Sequence, residues 1–346
     1  MTDRGYYVEE PWLPVSESLT EWGQDFHALL LNDQLRMRTF RAAIAEVVRP
    51  GAVVVDLGTG TGILAQWALE FGAARVYGID FNAEVLADAT ERLAAAGYRD
   101  RFIPVRGLSY DIELPEQASV ILSETLGNLA DNESCVPILA DARRRFLAPG
   151  GVLLPSKVES YLVPVAATDA HRKVAQCQVR GGDESLSVER QLAQLGAASP
   201  FDTYYDAVIG WDRHLATPRL AREYQFLEAE TDEYEIALSF TARQHGTLTG
   251  FKGYFIADLS PSTAMDISGD DIEAGQTSDS WKHCYLPIRL PIEVRPDDRI
   301  SLRFARKRTG DGFGQSYRWA GEVHRDSDQV GGFEQSSGAG PVLQDA

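Results

Sequence analysis

The seven residues DLGTGTG, Asp56 to Gly62, sit between two segments that narrow what the chain around them can become. Ala52–Gly58 is a short β-branched run ended by glycine, Ile63–Gly72 has the apolar spacing of a helix, and Arg75–Asp80 reads as a second strand. That is a βαβ unit. A helix follows over Asn82–Gly97, opened by Asn82 as its cap, then strands at FIPVRG (Phe102–Gly107) and SVILSE (Ser119–Glu124), then a helix ending at LAPGG (Leu147–Gly151). Alternation of this kind predicts an α/β fold with a parallel, doubly wound sheet up to about Pro155. Past that point the texture changes. YEIALSF, GYFIADL, CYLPIRLPIEV and DRISLRF are β-rich and separated by turn residues, which predicts a second, antiparallel domain, a barrel or a sandwich.

The glycines at 58, 60 and 62 follow a strand and open a helix, so the chain can turn sharply and present bare backbone N–H groups to an anion at the positive helix end. A dinucleotide site needs G-x-G-x-x-G to admit a pyrophosphate; here the third glycine comes one residue early and Ile63 stands in the expected place. A smaller ligand bearing a carboxylate fits better. Asp80, at the end of the next strand, is placed to accept hydrogen bonds from the two hydroxyls of a ribose. Together the two features resemble the S-adenosylmethionine (SAM) site of Rossmann-like methyltransferases, which implies SAM as cofactor, with Asp56, Gly58, Gly60, Gly62 and Asp80 among its contacts.

SETLGNLADNES (Ser123–Ser134) carries Glu124 and Glu133 in a stretch too short and too broken by Gly and Asn to be one helix. Glu124 stands at the carboxyl end of a predicted strand, the edge where open α/β sheets bind ligands. Pro137 fits only near the start of the helix that follows, which leaves Glu133 at the mouth of the loop. Both carboxylates can then face one point above the cofactor. A guanidinium suits that demand, because its planar fork of donors pairs with one carboxylate while the second meets the remaining nitrogens. The same residues also read as a strand-end acid and a helix-cap glutamate.

From roughly Tyr6 to His324 the chain resembles the protein arginine methyltransferase family. Ser123, Glu124 and Glu133 match its double-glutamate loop in type and spacing, and LADNES with LAPGGVLLP looks most like the symmetric-dimethylating (type II) branch. FHALLLNDQLRMRTFRAAI (Phe26–Ile44) is similar to the family's cofactor lid, with His27, Asp33, Arg36 and Thr39 on family positions. TSDSWKHCYLPIRLPIEV is similar to the loop that walls the arginine pocket, with Trp281 retained and Ser280 where many members have His. The resemblance implies a Rossmann-like SAM-binding domain followed by a β-barrel domain. It implies catalytic Glu124 and Glu133, cofactor contacts from His27 and Arg36, and an arginine pocket including Leu30, Ser280 and Trp281. Ser109, or with a one-residue shift Tyr110, stands where many members read adenine with Glu. His27 and Arg36 lie nine positions apart, on opposite faces of a straight helix, so a lid touching SAM with both must bend or be two short helices. Asp33 could then hydrogen-bond Ser280.

The expected division is an N-terminal segment (1–24), a SAM-binding domain with lid helices (25–155), a β-barrel substrate domain (156–325) and a disordered Gly/Ser/Gln-rich tail (326–346). An insertion at about 189–215 carries Leu192, Leu195, Tyr204, Tyr205, Val208 and Ile209, and stands where the resemblance implies the arm of a homodimer. Formal net charge is −18, against a sequence-independent grip on nucleic acid and in favour of cationic substrates. Six scattered histidines give no metal spacing, and no apolar run is long enough for a membrane span. Three distant cysteines and no leader pattern point to the cytoplasm. The acceptor stays open. A chain close to the family core tilts toward free L-arginine or a small arginine derivative, with Lys282 or Arg289 to meet its α-carboxylate. Arg/Gly-rich proteins are the alternative, and a catalytically silent interaction module the competing class.

Overall fold

The computed structural model describes residues 8–14, 31–131, 133–181, 185–308 and 315–338. Strands β1 (Val53–Leu57), β2 (Arg75–Asp80), β3 (Phe102–Arg106), β4 (Ala118–Ser123) and β5 (Leu147–Leu154) form a parallel sheet in the order β3-β2-β1-β4-β5. Chain connections diverge between β1 and β4. The crevice outside their carboxyl ends is thus a topological switch point, where open α/β sheets take ligands. Register puts Leu57 beside Ser123, so the glycine motif and Glu124 begin as neighbours.

Each helix is specified locally. Asn82 accepts from Glu84 N and Val85 N to cap Ala83–Ala95, which buries Leu86, Ala89 and Leu93 on one face. Pro137 lies in the first turn of Cys135–Phe146, where its missing N–H breaks no intrahelical bond. That helix stops at Phe146, before the LAPGG segment expected to end it. Pro149 has no N–H for a helix, and the segment becomes the start of β5 along β4.

The second domain holds β6 (Lys157–Val165), β7 (Tyr205–Ala207), β8 (Arg219–Gln225), β9 (Tyr234–Thr241), β10 (Gly246–Ser260), β11 (Thr263–Asp266), β12 (His283–Val294), β13 (Arg299–Arg308), β14 (Gln315–Arg325) and β15 (Asp328–Ser336). The second domain is antiparallel as expected, and among the described residues it is built of two sheets. One runs β7-β12-β10-β6-β8 with β11 on β10, the other β15-β14-β13-β9, and among the described residues their pairings do not close into one ring. Phe240, Phe251, Phe304, Trp319 and Phe333, drawn from both sheets, fill the core between them.

Two further expectations are corrected. Part of the tail is ordered: Asp328–Ser336 pairs along β14, with Phe333 turned into the core, because a tight turn at Asp326 (φ 56°) returns the chain beside its own strand. The insertion does not offer an apolar surface. Leu192, Tyr204, Tyr205, Val208 and Ile209 are all buried within the chain's own β domain, largely around Val163, Val165, Val174 and Tyr285.

Candidate active site

Three elements build the cofactor side. Gly58, Gly60 and Gly62 all take left-handed backbone angles (φ 66°, 50° and 71°), which L side chains rarely adopt. A side chain at Gly62 would also press on Ala89 and Leu93, each 3.2 Å from its first carbon. Arg92 donates to the Thr61 carbonyl and fastens the loop to the next helix. Asp56, fully buried, accepts from Thr59 Oγ1 (2.7 Å) and Ala65 N (3.1 Å) through one oxygen; its other oxygen is buried without a hydrogen-bond partner. Burial, opposed by those two bonds, raises its pKa to about 7. Asp80 accepts from Gly60 N and Asn82 N, both at 2.9 Å, so it braces the glycine loop. Ser109 opens a short turn after β3, held from below by Arg145, which donates to the carbonyls of Ser109 and Ile112.

The lid is broken at Asp33. Leu31 and Asn32 are helical, Asp33 is extended (φ −70°, ψ 103°), and a new helix spans Gln34–Val47. One oxygen of Asp33 caps that helix by accepting from Arg36 N at 3.0 Å. The other accepts from Ser278 Oγ, Ser280 Oγ (2.8 Å) and Ser280 N (3.1 Å). Arg38 donates to the Gly275 carbonyl (2.6 Å), and Glu46 accepts from Ser260 and Ser262. Lid and β domain are thus latched along the helix. Thr39 bonds within the helix, to Leu35 O.

Arg36, Glu124 and Trp281 meet in one buried place. The Arg36 guanidinium is paired with Glu124 and lies 5.9 Å from the Trp281 ring centroid. Burial pushes the Glu124 carboxyl up and the Arg36 charge opposes it. Trp281 is fixed by its indole N–H donating to Leu126 O and by the edge-on ring of Phe255. Glu133 is half-buried in the turn just before the helix Cys135–Phe146, next to Ser134 at φ 56°. His27 and Leu30 lie outside the described residues.

Two family models match the chain, one described as the PRMT5 oligomerisation domain over residues 157–334 and one as a methyltransferase domain over residues 54–151. Protein arginine N-methyltransferase PRMT10 of Oryza sativa subsp. japonica is 34% identical over 313 residues, covering 81% of this chain and 80% of its own. Probable protein arginine N-methyltransferase 6 of Arabidopsis thaliana is 31% identical over 73% of this chain, which spans 59% of that relative's length. The chain belongs to the protein arginine N-methyltransferase family. Solved structures of members share its fold. Arabidopsis thaliana protein arginine methyltransferase 10 superposes with a TM-score of 0.77 at 21% identity, covering 91% of this chain and 97% of its own. The Trypanosoma brucei PRMT1 enzyme-prozyme complex with AdoHcy gives 0.76 at 18%, covering 93% and 99%.

A methyltransferase domain of this family makes SAM the cofactor, and the residues present fit it. A bare glycine turn opens a helix beside a buried carboxylate oxygen that lacks a donor. Sequence reasoning missed Ser278 as the second hydroxyl on Asp33; its place two residues before Ser280 was the available signal. It also missed Asn128 and Asp131 within the double-glutamate loop, and Arg306, which meets that loop from the β domain. An acid between the two glutamates was visible in the sequence, but its partner lies 175 residues away.

Proposed function

We propose that this arginine methyltransferase acts on arginine side chains of proteins, with Glu124 and Glu133 holding the guanidinium. One observation supports this above the others: a guanidinium, that of Arg36, already pairs with Glu124 over the Trp281 ring in the crevice at the β1/β4 switch. SAM supplies an electrophilic methyl on a sulfonium. Gly58, Gly60 and Gly62 would take its carboxylate at the helix N-terminus, aided by Arg36 once that side chain turns from Glu124; Asp56 would accept from its α-ammonium, Asp80 from its ribose, and the Ser109 turn would border its adenine. A guanidinium is a poor nucleophile because its lone pairs are delocalised. Two carboxylates draw positive charge onto the nitrogens they face and leave the target nitrogen richer. That nitrogen forms a bond to the methyl carbon as the carbon–sulfur bond breaks, and it then loses a proton. Alignment of nitrogen, carbon and sulfur supplies much of the remaining rate.

For the acceptor, the named relatives favour protein over free arginine. A relative matched over 80% of its length carries the protein-arginine name, so closeness to the family core no longer favours the free amino acid. The cations once offered to an α-carboxylate are engaged: Lys282 Nζ donates to the Asp279 carbonyl and sits 5.2 Å from the Trp12 ring, and Arg289 pairs with Asp202. A net charge of −18 also suits cationic, arginine-rich tails. The relatives PRMT10 and probable protein arginine N-methyltransferase 6 give the type II branch no support. We further propose assembly through the β domain, whose matching model is described as an oligomerisation domain, and a cytoplasmic location, in keeping with three free cysteines. The functional reading is tested by calorimetric titration with S-adenosylhomocysteine, then methyl transfer from labelled SAM to an Arg-Gly-rich peptide and to its Lys-for-Arg counterpart. Binding with transfer to the arginine peptide alone is expected; no binding, or equal labelling of the lysine peptide, overturns it.

A further inference from the structure

The loop that carries the two glutamates is held at its middle by the β domain. Leu129 is buried in the β-domain core and its carbonyl accepts from Ser160 Oγ at 2.6 Å; Asn128 donates to Asp206 Oδ1 at 2.7 Å. Asp131, fully buried, accepts from the hydroxyls of Tyr234 (2.8 Å) and Tyr317. Its backbone carbonyl accepts from Arg306 Nη2 at 2.6 Å. Arg306, itself buried, donates also to Gln315 Oε1 (2.7 Å) and to the carbonyl of Asp232 (3.1 Å), and pairs with the Asp232 carboxylate at 3.0 Å. Asp232 in turn takes Arg308 at 2.9 Å. Strands β9, β13 and β14 of one sheet therefore converge on a single loop residue two positions before Glu133.

The backbone on both sides explains why such an anchor is needed. Ala130 (φ 59°) and Ser134 (φ 56°) are both in the left-handed region, so the chain is sharply turned just before Asp131 and just after Glu133. Non-glycine residues hold that conformation only when their surroundings impose it. A carboxylate removed from water is likewise tolerated only when its partners satisfy it, and Asp131 has two hydroxyls with a guanidinium nearby. The burial is costly and buys a fixed point for the loop.

We propose that Asp131, with Arg306 and Tyr317, is a positioning residue that sets where Glu133 stands relative to Glu124. The inference rests on the methyltransferase reading of the same site and names which buried group governs its second carboxylate. The side chain of Asp131 bonds to Tyr234 and Tyr317 of the β domain, and it acts on Glu133 through the chain, one residue lying between the two.

The test is a double-mutant cycle on the full chain, with an Arg-Gly-rich peptide, labelled SAM and S-adenosylhomocysteine titrations. Asp131→Asn is expected to lower kcat about 10-fold or more, since misplacing a reacting group by about an ångström costs up to 100-fold, while S-adenosylhomocysteine affinity stays within about twofold. In a Glu133→Gln background the same change is expected to cost less than about threefold, because a residue acting through Glu133 has little left to act on. A purely structural role does not produce that non-additivity. Tyr317→Phe, which keeps the ring in the core and removes one donor, gives the same pattern at smaller amplitude and serves if Asp131→Asn does not fold. Losses that simply multiply, or a fall in kcat matched by equal loss of S-adenosylhomocysteine affinity, overturn the positioning role while leaving the function intact. Absence of transfer by the unmutated chain defeats the functional reading, and the positioning role with it.

Discussion

Asp33→Asn isolates the latch between lid and β domain. Asp33 uses one oxygen to cap the helix Gln34–Val47 and the other to gather Ser278 Oγ, Ser280 Oγ and Ser280 N. Asparagine can keep only one of these sides. With its oxygen on the cap, its NH2 faces the three donors; both hydroxyls can rotate and accept, but the Ser280 N–H cannot, and a buried donor left unmade costs about 1 to 3 kcal/mol. With the amide reversed, the cap is lost at about 1 kcal/mol and Arg36 N meets a donor instead. Either way the latched lid is disfavoured by about 1 to 3 kcal/mol, or about 5- to 150-fold, at 1.4 kcal/mol per factor of ten. Arg36 rides on that helix. If the cofactor binds the latched form, S-adenosylhomocysteine affinity falls by that factor, read by calorimetry, and amide hydrogen exchange speeds up at the start of the helix and at 278–281. Faster exchange with an affinity within about threefold of the unmutated chain would refute the coupling of latch to cofactor.

Glu124→Gln and Glu133→Gln are each expected to lower turnover by about 10²- to 10³-fold in steady-state transfer assays, with little change in S-adenosylhomocysteine affinity. Asp56, at a pKa of about 7, is largely protonated at pH 6 in the free protein; accepting from an α-ammonium requires the ionised form, so binding at pH 6 releases a proton and affinity rises toward pH 8. Calorimetry in two buffers of different ionisation heat measures the release, and Asp56→Asn removes it. Lys252, buried with Nζ donating to the carbonyls of Ile209 and Ser268 at 2.9 Å, has its pKa lowered to about 7 by burial. Between pH 7 and its ordinary value of 10.5 the unfolded chain holds the proton and the folded chain does not, so this residue makes stability rise with pH across that window. Denaturant titrations at pH 7 and 9 are expected to show the rise, and to show less of it in Lys252→Met.

What could be read from the sequence was what local chemistry dictates. The strand, glycine turn and helix around Asp56, the Asn82 cap and the Pro137 restriction each follow from a few adjacent residues, and the parallel sheet follows from their alternation. A bend in this segment followed from the resemblance, which implies that positions 27 and 36 both meet the cofactor; the chain leaves the helix at Asp33, while position 27 lies outside the described residues. Long-range pairing was not legible. Asp328–Ser336 reads by composition as part of a disordered tail and forms a strand because β14 lies beside it. The insertion with Tyr204, Tyr205 and Ile209 looked like an exposed arm, since a sequence does not say which surface a run of apolar residues will find. Asp131 and Arg306 join elements 175 residues apart, and neither neighbourhood carries a mark of the other.

In the proposed function, two carboxylates at a SAM site hold the guanidinium of a protein-bound arginine. Its most direct test offers the full chain labelled SAM, with free L-arginine and an Arg-Gly-rich peptide side by side, and resolves products by tandem mass spectrometry. Label is expected on guanidino nitrogens of the peptide, with little or none on the free amino acid. Efficient labelling of free arginine with none on the peptide, or label on any group other than a guanidino nitrogen, would contradict it.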